Sequence, residues 1–114
     1  EDVEANHLVG DVQDRNTIIV DDMTSTAGTL TEASKLLQKA GAKSIRAAVS
    51  HSLLLEKGVS RLKNSPIIEL ITTNTIPQKK FDDINVTVLS VADLLAEAIP
   101  RIHGNQSVSS LFSD

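Results

Sequence analysis

Two adjacent carboxylates, Asp21 and Asp22, end an apolar run, and a turn rich in hydroxyls follows them: Val20 to Thr29 reads VDDMTSTAGT. Ile18, Ile19 and Val20 form the end of a buried strand, and Ser25-Thr26-Ala27-Gly28-Thr29 leads into an apolar-periodic segment. A strand, loop and helix in this order offer an anion site, because the first amides of a helix lack partners and its dipole favours negative charge. Gly28 lets a ligand approach the backbone, and the hydroxyls of Ser25, Thr26 and Thr29 can donate to phosphate oxygens. Asp21 and Asp22 would repel a phosphate at contact distance, so they face hydroxyls or a bound cation instead. A phosphate on one side and a polyol on the other is a sugar phosphate. Blander readings exist for each part. Thr29 with Glu32 also spells a capping box, and an acid pair after a strand is often a solvated turn. Strand, acid pair, glycine and helix start agree on the ligand reading, which weighs against the solvated turn.

The elements that must position these residues alternate strand and helix. Thr17 to Val20 is the strand before the loop, and Thr29 to Ala40 the helix after it, with Leu30, Ala33, Leu37 and Ala40 on one apolar face. Gly41 is placed to cap that helix. Ile45 to Val49 is a second strand, reached by a crossover long enough to make it parallel and right-handed. Glu56 to Leu62 forms a short helix, and Ile67 to Thr72 and Val86 to Leu89 are strands joined by the polar loop Gln78 to Asn85. His7 to Val9 is a candidate short strand, with Gly10-Asp11 as its turn. Ser90 begins a last helix, with Asp93 as a first-turn acid. The pattern is α/β, with a mainly parallel sheet flanked by helices.

Composition limits the partners. The 114 residues are 40% hydrophobic with two Phe and neither Trp nor Tyr, so the single modest core is aliphatic. A net charge of −4 argues against nucleic acid as the main partner. There is no cysteine, hence no disulfide or thiol chemistry. No apolar run approaches the ~20 residues of a membrane span, and no signal-peptide pattern is present. His7 and His103 lack spaced partners for zinc, and His51 is better suited to a structural hydrogen bond than to acid–base work. Asp82-Asp83 is solvated surface.

The loop from Val20 to Thr29 resembles the signature of type I phosphoribosyltransferases, which hold ribose 5-phosphate or phosphoribosyl pyrophosphate (PRPP). Thr73-Asn74-Thr75-Ile76-Pro77 resembles the TNTIP run of ribose-phosphate pyrophosphokinases, the PRPP synthetases, and Ser107-Val108-Ser109-Ser110-Leu111-Phe112 is similar to their C-terminal tail. Gly10-Asp11-Val12 and Leu89 to Ile99 fit the same family in the same order. The resemblance implies a phosphoribosyltransferase-like fold over residues 1–114, as the C-terminal part of a longer cytoplasmic enzyme; Glu1 in place of an initiator methionine fits a fragment. It implies pyrophosphate transfer from Mg-ATP to ribose 5-phosphate by a homo-oligomer. Asp21, Asp22, Ser25, Thr26, Ala27, Gly28 and Thr29 would hold the sugar phosphate, with Asp21 and Asp22 near Mg2+ through ligand or water. Ser107, Val108, Ser109 and Phe112 would line a phosphate/ADP regulatory site between subunits. The family's catalytic lysine and arginine lie upstream of the matching segment, and its ATP site in an amino-terminal domain, so the chain alone is expected to be inactive. A PRPP-dependent phosphoribosyltransferase shares the loop. A non-catalytic synthetase-associated regulatory subunit shares the fold, although its loop is usually disrupted. Three positions depart from the family: Ser25 replaces an acid, Leu53 to Gly58 replaces a shorter turn, and Pro100 replaces an arginine and is expected to kink or stop the last helix.

Overall fold

Aliphatic and β-branched runs become four parallel strands, and the segments between the first three become the helices that cover one face of the sheet. The computed structural model describes residues 7–113. In chain order these are β1 (Asn16–Thr24), α1 (Gly28–Lys39), β2 (Ser44–Ser52), α2 (Glu56–Lys63), β3 (Glu69–Thr73), β4 (Val86–Leu89) and α3 (Ala92–His103), followed by a 3-10 turn at Ser109–Leu111. The sheet order is β1-β2-β3-β4, every pairing parallel, with Ile19 opposite Ala47, Ala47 opposite Leu70, and Leu70 opposite Val86. These residues share one face, and Ala27, Leu30, Val49, Leu54 and Leu62 close the core over them. β1 runs further than expected, through Asp21 and Asp22 to Thr24. His7 to Val9 forms no strand.

Helix α1 buries a different face from the one its apolar spacing suggests. Leu30, Thr31 and Ser34 are fully buried, whereas Ala33, Leu37 and Ala40 are half-buried. The hydroxyls enter the core at little cost because they are satisfied locally: Thr31 Oγ1 donates to the Ala27 carbonyl (2.8 Å) and Ser34 Oγ to the Thr31 carbonyl (2.7 Å). Gly41 caps the helix at φ 88°, its amide donating to the Gln38 carbonyl while the Ala42 amide reaches Leu37 (3.1 Å each).

Helix α3 starts at Ala92, with Ser90 Oγ accepting from the Ala92 amide (3.1 Å). Of the kink or stop expected at Pro100, the stop does not occur. The helix continues to His103, because only the carbonyl of Ala96 loses an amide and Ala96 is exposed to water. α3 buries no residue and packs only against the 3-10 turn. Its Leu94, Leu95, Ile99 and Ile102 are exposed, as are Ile18, Val20 and Leu89 on the sheet face that α1 and α2 leave open. The radius of gyration of 16.5 Å exceeds the ~13 Å of a compact domain near this length, as an outlying helix requires. Among the described residues no helix is long and apolar enough to cross a membrane.

Candidate functional site

The loop between β1 and α1 closes around a small concavity of ≈ 150 Å³, lined by Asp21, Ser25, Thr26, Ala27, Gly28 and Thr29 together with Met23, Thr24 and Leu30. Six of the seven sugar-phosphate candidates therefore meet in one place. Asp22 does not join them. Its side chain is exposed and its amide donates to Asp21 Oδ1 (2.8 Å). Asp21 also borders the open sheet face, in a depression with Val20, Ala48, Ile71 and Leu89.

The backbone of this loop is sorted by polarity. Each carbonyl from Thr24 to Gly28 is held by a protein donor: Thr24 by the Leu53 amide (3.1 Å), Ser25 by the Leu55 amide (3.1 Å) and Thr26 by Arg61 Nη1 (3.1 Å). Thr31 takes the last two, its amide (3.0 Å) and Oγ1 (2.8 Å) reaching Ala27 and its Oγ1 reaching Gly28 (3.1 Å). The amides of residues 25–29 have no protein acceptor among the described residues, nor do the hydroxyls of Ser25, Thr26 and Thr29. No side chain caps α1, whose N-cap is Ala27, so the capping-box reading of Thr29 and Glu32 fails. Glu32 pairs with Lys35 instead (3.0 Å). Carbonyls tied back and amides left forward make a ready anion cradle at a helix N-terminus.

Two backbone features produce this arrangement. Ala27 adopts a left-handed conformation (φ 58°), which costs an L-residue ~1–2 kcal/mol. Its methyl is 2% exposed in the core, so packing offsets the strain where glycine would leave a gap. The loop is then pressed from behind by α2, through Gly58, where a Cβ would lie 2.4 Å from the Ser25 carbonyl oxygen.

The model of the phosphoribosyl synthetase-associated domain matches residues 4–113 of this chain. The chain belongs to that family. It is 44% identical to a ribose-phosphate pyrophosphokinase of Gloeobacter violaceus, over 97% of this chain and 34% of the relative. It is 47% identical to one from Caldanaerobacter subterraneus, over 96% of this chain and 35% of the relative. Among solved structures it is similar to phosphoribosylpyrophosphate synthetase from Mycobacterium smegmatis, with a TM-score of 0.78 and 38% identity over 89% of this chain and 34% of that one. The chain thus spans about a third of the length of the relatives it matches.

Other family-like segments frame the loop without entering it. Thr73 to Pro77 ties strand ends together: Thr73 Oγ1 donates to the Ser50 carbonyl (2.6 Å), and Asn74 Oδ1 accepts the Val91 amide (2.9 Å). His51 Nδ1 shares a 2.8 Å hydrogen bond with Thr75 Oγ1, in keeping with a structural histidine. The tail from Ser107 to Phe112 lies along α3, held by Arg101 Nη1 donating to Ser110 Oγ (2.5 Å). Ser107 Oγ accepts the Ser109 amide (3.2 Å), Val108 is half-buried, and Phe112 is 71% exposed within the single chain. Asp82 and Asp83 are exposed, Asp83 lying 3.9 Å from Lys63.

Arg61 and Gly58 are the supporting residues that sequence reasoning passed over. The signal was a glycine inside a helical segment, where it costs ~1 kcal/mol relative to alanine and asks for a packing reason. The segment Leu53 to Gly58 is the clamp that holds Ser25 and Thr24 in place.

Proposed function

We propose that this chain is the ribose 5-phosphate-binding part of a ribose-phosphate pyrophosphokinase, acting in the C-terminal third of a longer cytoplasmic enzyme. The observation that carries the reading is the polarity of the β1–α1 loop, where free amides and three hydroxyls converge while every carbonyl from Thr24 to Gly28 is tied back. The 5-phosphate takes those amides and the hydroxyls of Ser25, Thr26 and Thr29. Asp21, on the rim of the same concavity, accepts from the ribose hydroxyls and fixes the sugar's orientation. Asp22 stands at the edge, solvated. Pyrophosphate transfer from ATP to the C1 hydroxyl depends mainly on such positioning and on stabilising charge on the migrating group. A serine at position 25 suits the task, since it donates to a phosphate oxygen where an acid would repel it.

The described residues contain no cluster of three or more His, Cys, Asp or Glu that could hold a metal. Mg2+ commonly binds through one or two carboxylates plus substrate oxygens and keeps several waters; Asp21, on the rim of the concavity, would serve directly, and Asp22, outside it, only through water. When bound, the ion and its ATP supply charge neutralisation and the transferred group. The tail from Ser107 to Phe112, exposed on α3, is proposed to meet a neighbouring subunit of a homo-oligomer and bind its regulatory anion there.

Calorimetry with ribose 5-phosphate tests the central reading. The wild-type chain should bind and Gly28→Val should not, with unchanged far-UV circular dichroism in both. Equal binding by the two proteins would remove the loop from the site. The isolated chain should show no ATP-dependent PRPP formation above an Asp21→Asn control, because the resemblance puts the family's catalytic lysine and arginine upstream of the matching segment.

A further inference from the structure

A second and roomier concavity lies apart from the phosphate loop, along α2. Leu54, Leu55 and Val59 form one wall, and the connection from β3 to β4 brings Lys79, Lys80 and Phe81 to the other, enclosing ≈ 560 Å³. That volume is in the range of small-molecule sites. The phosphate concavity has only ≈ 150 Å³.

The chemistry of the walls selects an occupant. Phe81, one of two aromatic residues in the chain, lines the groove while its other contacts anchor it on the core. A half-buried ring beside Leu54 and Val59 suits a flat apolar body. Five charged residues face the groove: Lys63, Lys79, Lys80, Glu56 and Asp83. Lys63 and Asp83 oppose each other at 3.9 Å. Lys79 and Lys80 have no carboxylate within ion-pair distance among the described residues, which leaves two cations against Glu56. The surplus of one positive charge beside an apolar floor is complementary to a planar aromatic monoanion.

The groove shares its wall with the phosphate loop. Leu55 lines it with its side chain, while the Leu55 amide donates to the Ser25 carbonyl. Gly58, one residue from Val59, abuts the same oxygen, and Arg61 on the next turn holds the Thr26 carbonyl. Anything that shifts or stiffens the first turns of α2 therefore acts on the loop, and the effect must run both ways. We propose that this groove is a second binding site, for a planar aromatic monoanion, coupled to the phosphate loop through α2. The coupling rests on the sugar-phosphate reading of the loop; the occupancy of the groove does not.

Titration of the full chain with 2-naphthoate, followed by amide chemical shifts, is the test. Expected are shifts at Val59, Ser60, Lys80 and Phe81, with smaller ones at Ser25 and Thr26. Lys79→Glu with Lys80→Glu, both exposed, should weaken binding roughly fivefold without moving the melting temperature, and neutral 2-naphthol should bind weaker by a similar factor. Equal affinity in the double variant, or shifts confined to Val20, Leu89 and Ile99 on the open surfaces, would overturn the site. Groove shifts with Ser25 and Thr26 unmoved would overturn the coupling. Failure of ribose 5-phosphate to bind, with naphthoate still in the groove, would count against the sugar-phosphate reading alone.

Discussion

Replacing Gly58 with alanine sets local helix propensity against the position of the phosphate loop. In an exposed helix the exchange stabilises by ~1 kcal/mol, since glycine gives up more backbone freedom on folding. Here the new Cβ would lie 2.4 Å from the Ser25 carbonyl oxygen, 3.1 Å from Leu54 Cδ2 and 3.3 Å from the Thr26 carbonyl carbon. Ordinary contact begins at 3.4 Å, so the Ser25 peptide or the α2 backbone must give by about 1 Å. That movement strains or breaks the Leu55 amide to Ser25 hydrogen bond, ~1 kcal/mol, and overpacks the contact by a further ~1–3 kcal/mol. After the helix gain, Gly58→Ala should lose ~1–3 kcal/mol in urea unfolding. A larger effect should fall on binding, because the Ser25 amide and hydroxyl that move are among the donors that must converge on one phosphate, and each such hydrogen bond to a charged group is worth ~1.5–3 kcal/mol. Calorimetry with ribose 5-phosphate and denaturation of the same samples separate the two quantities, with Lys57→Ala as the neighbouring control. An alanine variant that is more stable by about 1 kcal/mol and binds unchanged would show that α2 does not position the loop.

Arg61→Ala removes the donor to the Thr26 carbonyl, a charged hydrogen bond of ~1.5–3 kcal/mol at most; ribose 5-phosphate should bind about tenfold more weakly by calorimetry, with secondary structure retained. Glu69 accepts from Thr87 Oγ1 (2.5 Å) and pairs with Arg46 (3.0 Å), and these hold its carboxyl below the usual 4.5. A folded-state pKa below the unfolded one contributes stability above the unfolded value that is lost as pH falls through the folded value, so Thr87→Val should lower stability at neutral pH and flatten the fall below pH 4.5, with the two proteins converging in acid when urea unfolding is followed against pH. The open apolar sheet face should drive self-association at micromolar concentration, seen by sedimentation and reduced by Val20→Lys; a strictly monomeric wild-type species would refute this.

Much of the site was legible because its residues are contiguous: a strand, an acid pair, hydroxyls, a glycine and a helix start occupy one stretch. Val86 to Leu89 was legible for the related reason that a polar loop precedes it and a helix-starting serine follows it. What escaped depends on contacts between distant segments. The left-handed Ala27 has no local signature, since alanine is chosen there for the methyl it places in the core. The buried face of α1 runs through Thr31 and Ser34, and a hydropathy pattern cannot register hydroxyls that satisfy themselves on the preceding turn. That α3 runs on past Pro100 depends on its exposure, since water can satisfy the Ala96 carbonyl that the proline leaves without an amide. Arg61 reads as an ordinary surface cation until α2 is seen lying against Thr26.

Because the spatial order of the strands repeats their order in the chain, the sheet can grow by addition at one edge as the polypeptide is made. β1 finds its neighbour once β2 is complete, and the clamp on the loop follows at once with α2, which ends at Lys63. At ~5–20 residues per second the 26 residues from Asn64 to Leu89 that complete the sheet take about 1–5 s to synthesise. Helix and hairpin-scale folding steps are over in microseconds. The anion cradle and its clamp are therefore complete in sequence by Lys63, so everything that shapes the loop for phosphate precedes β3, β4 and α3 in the order of synthesis.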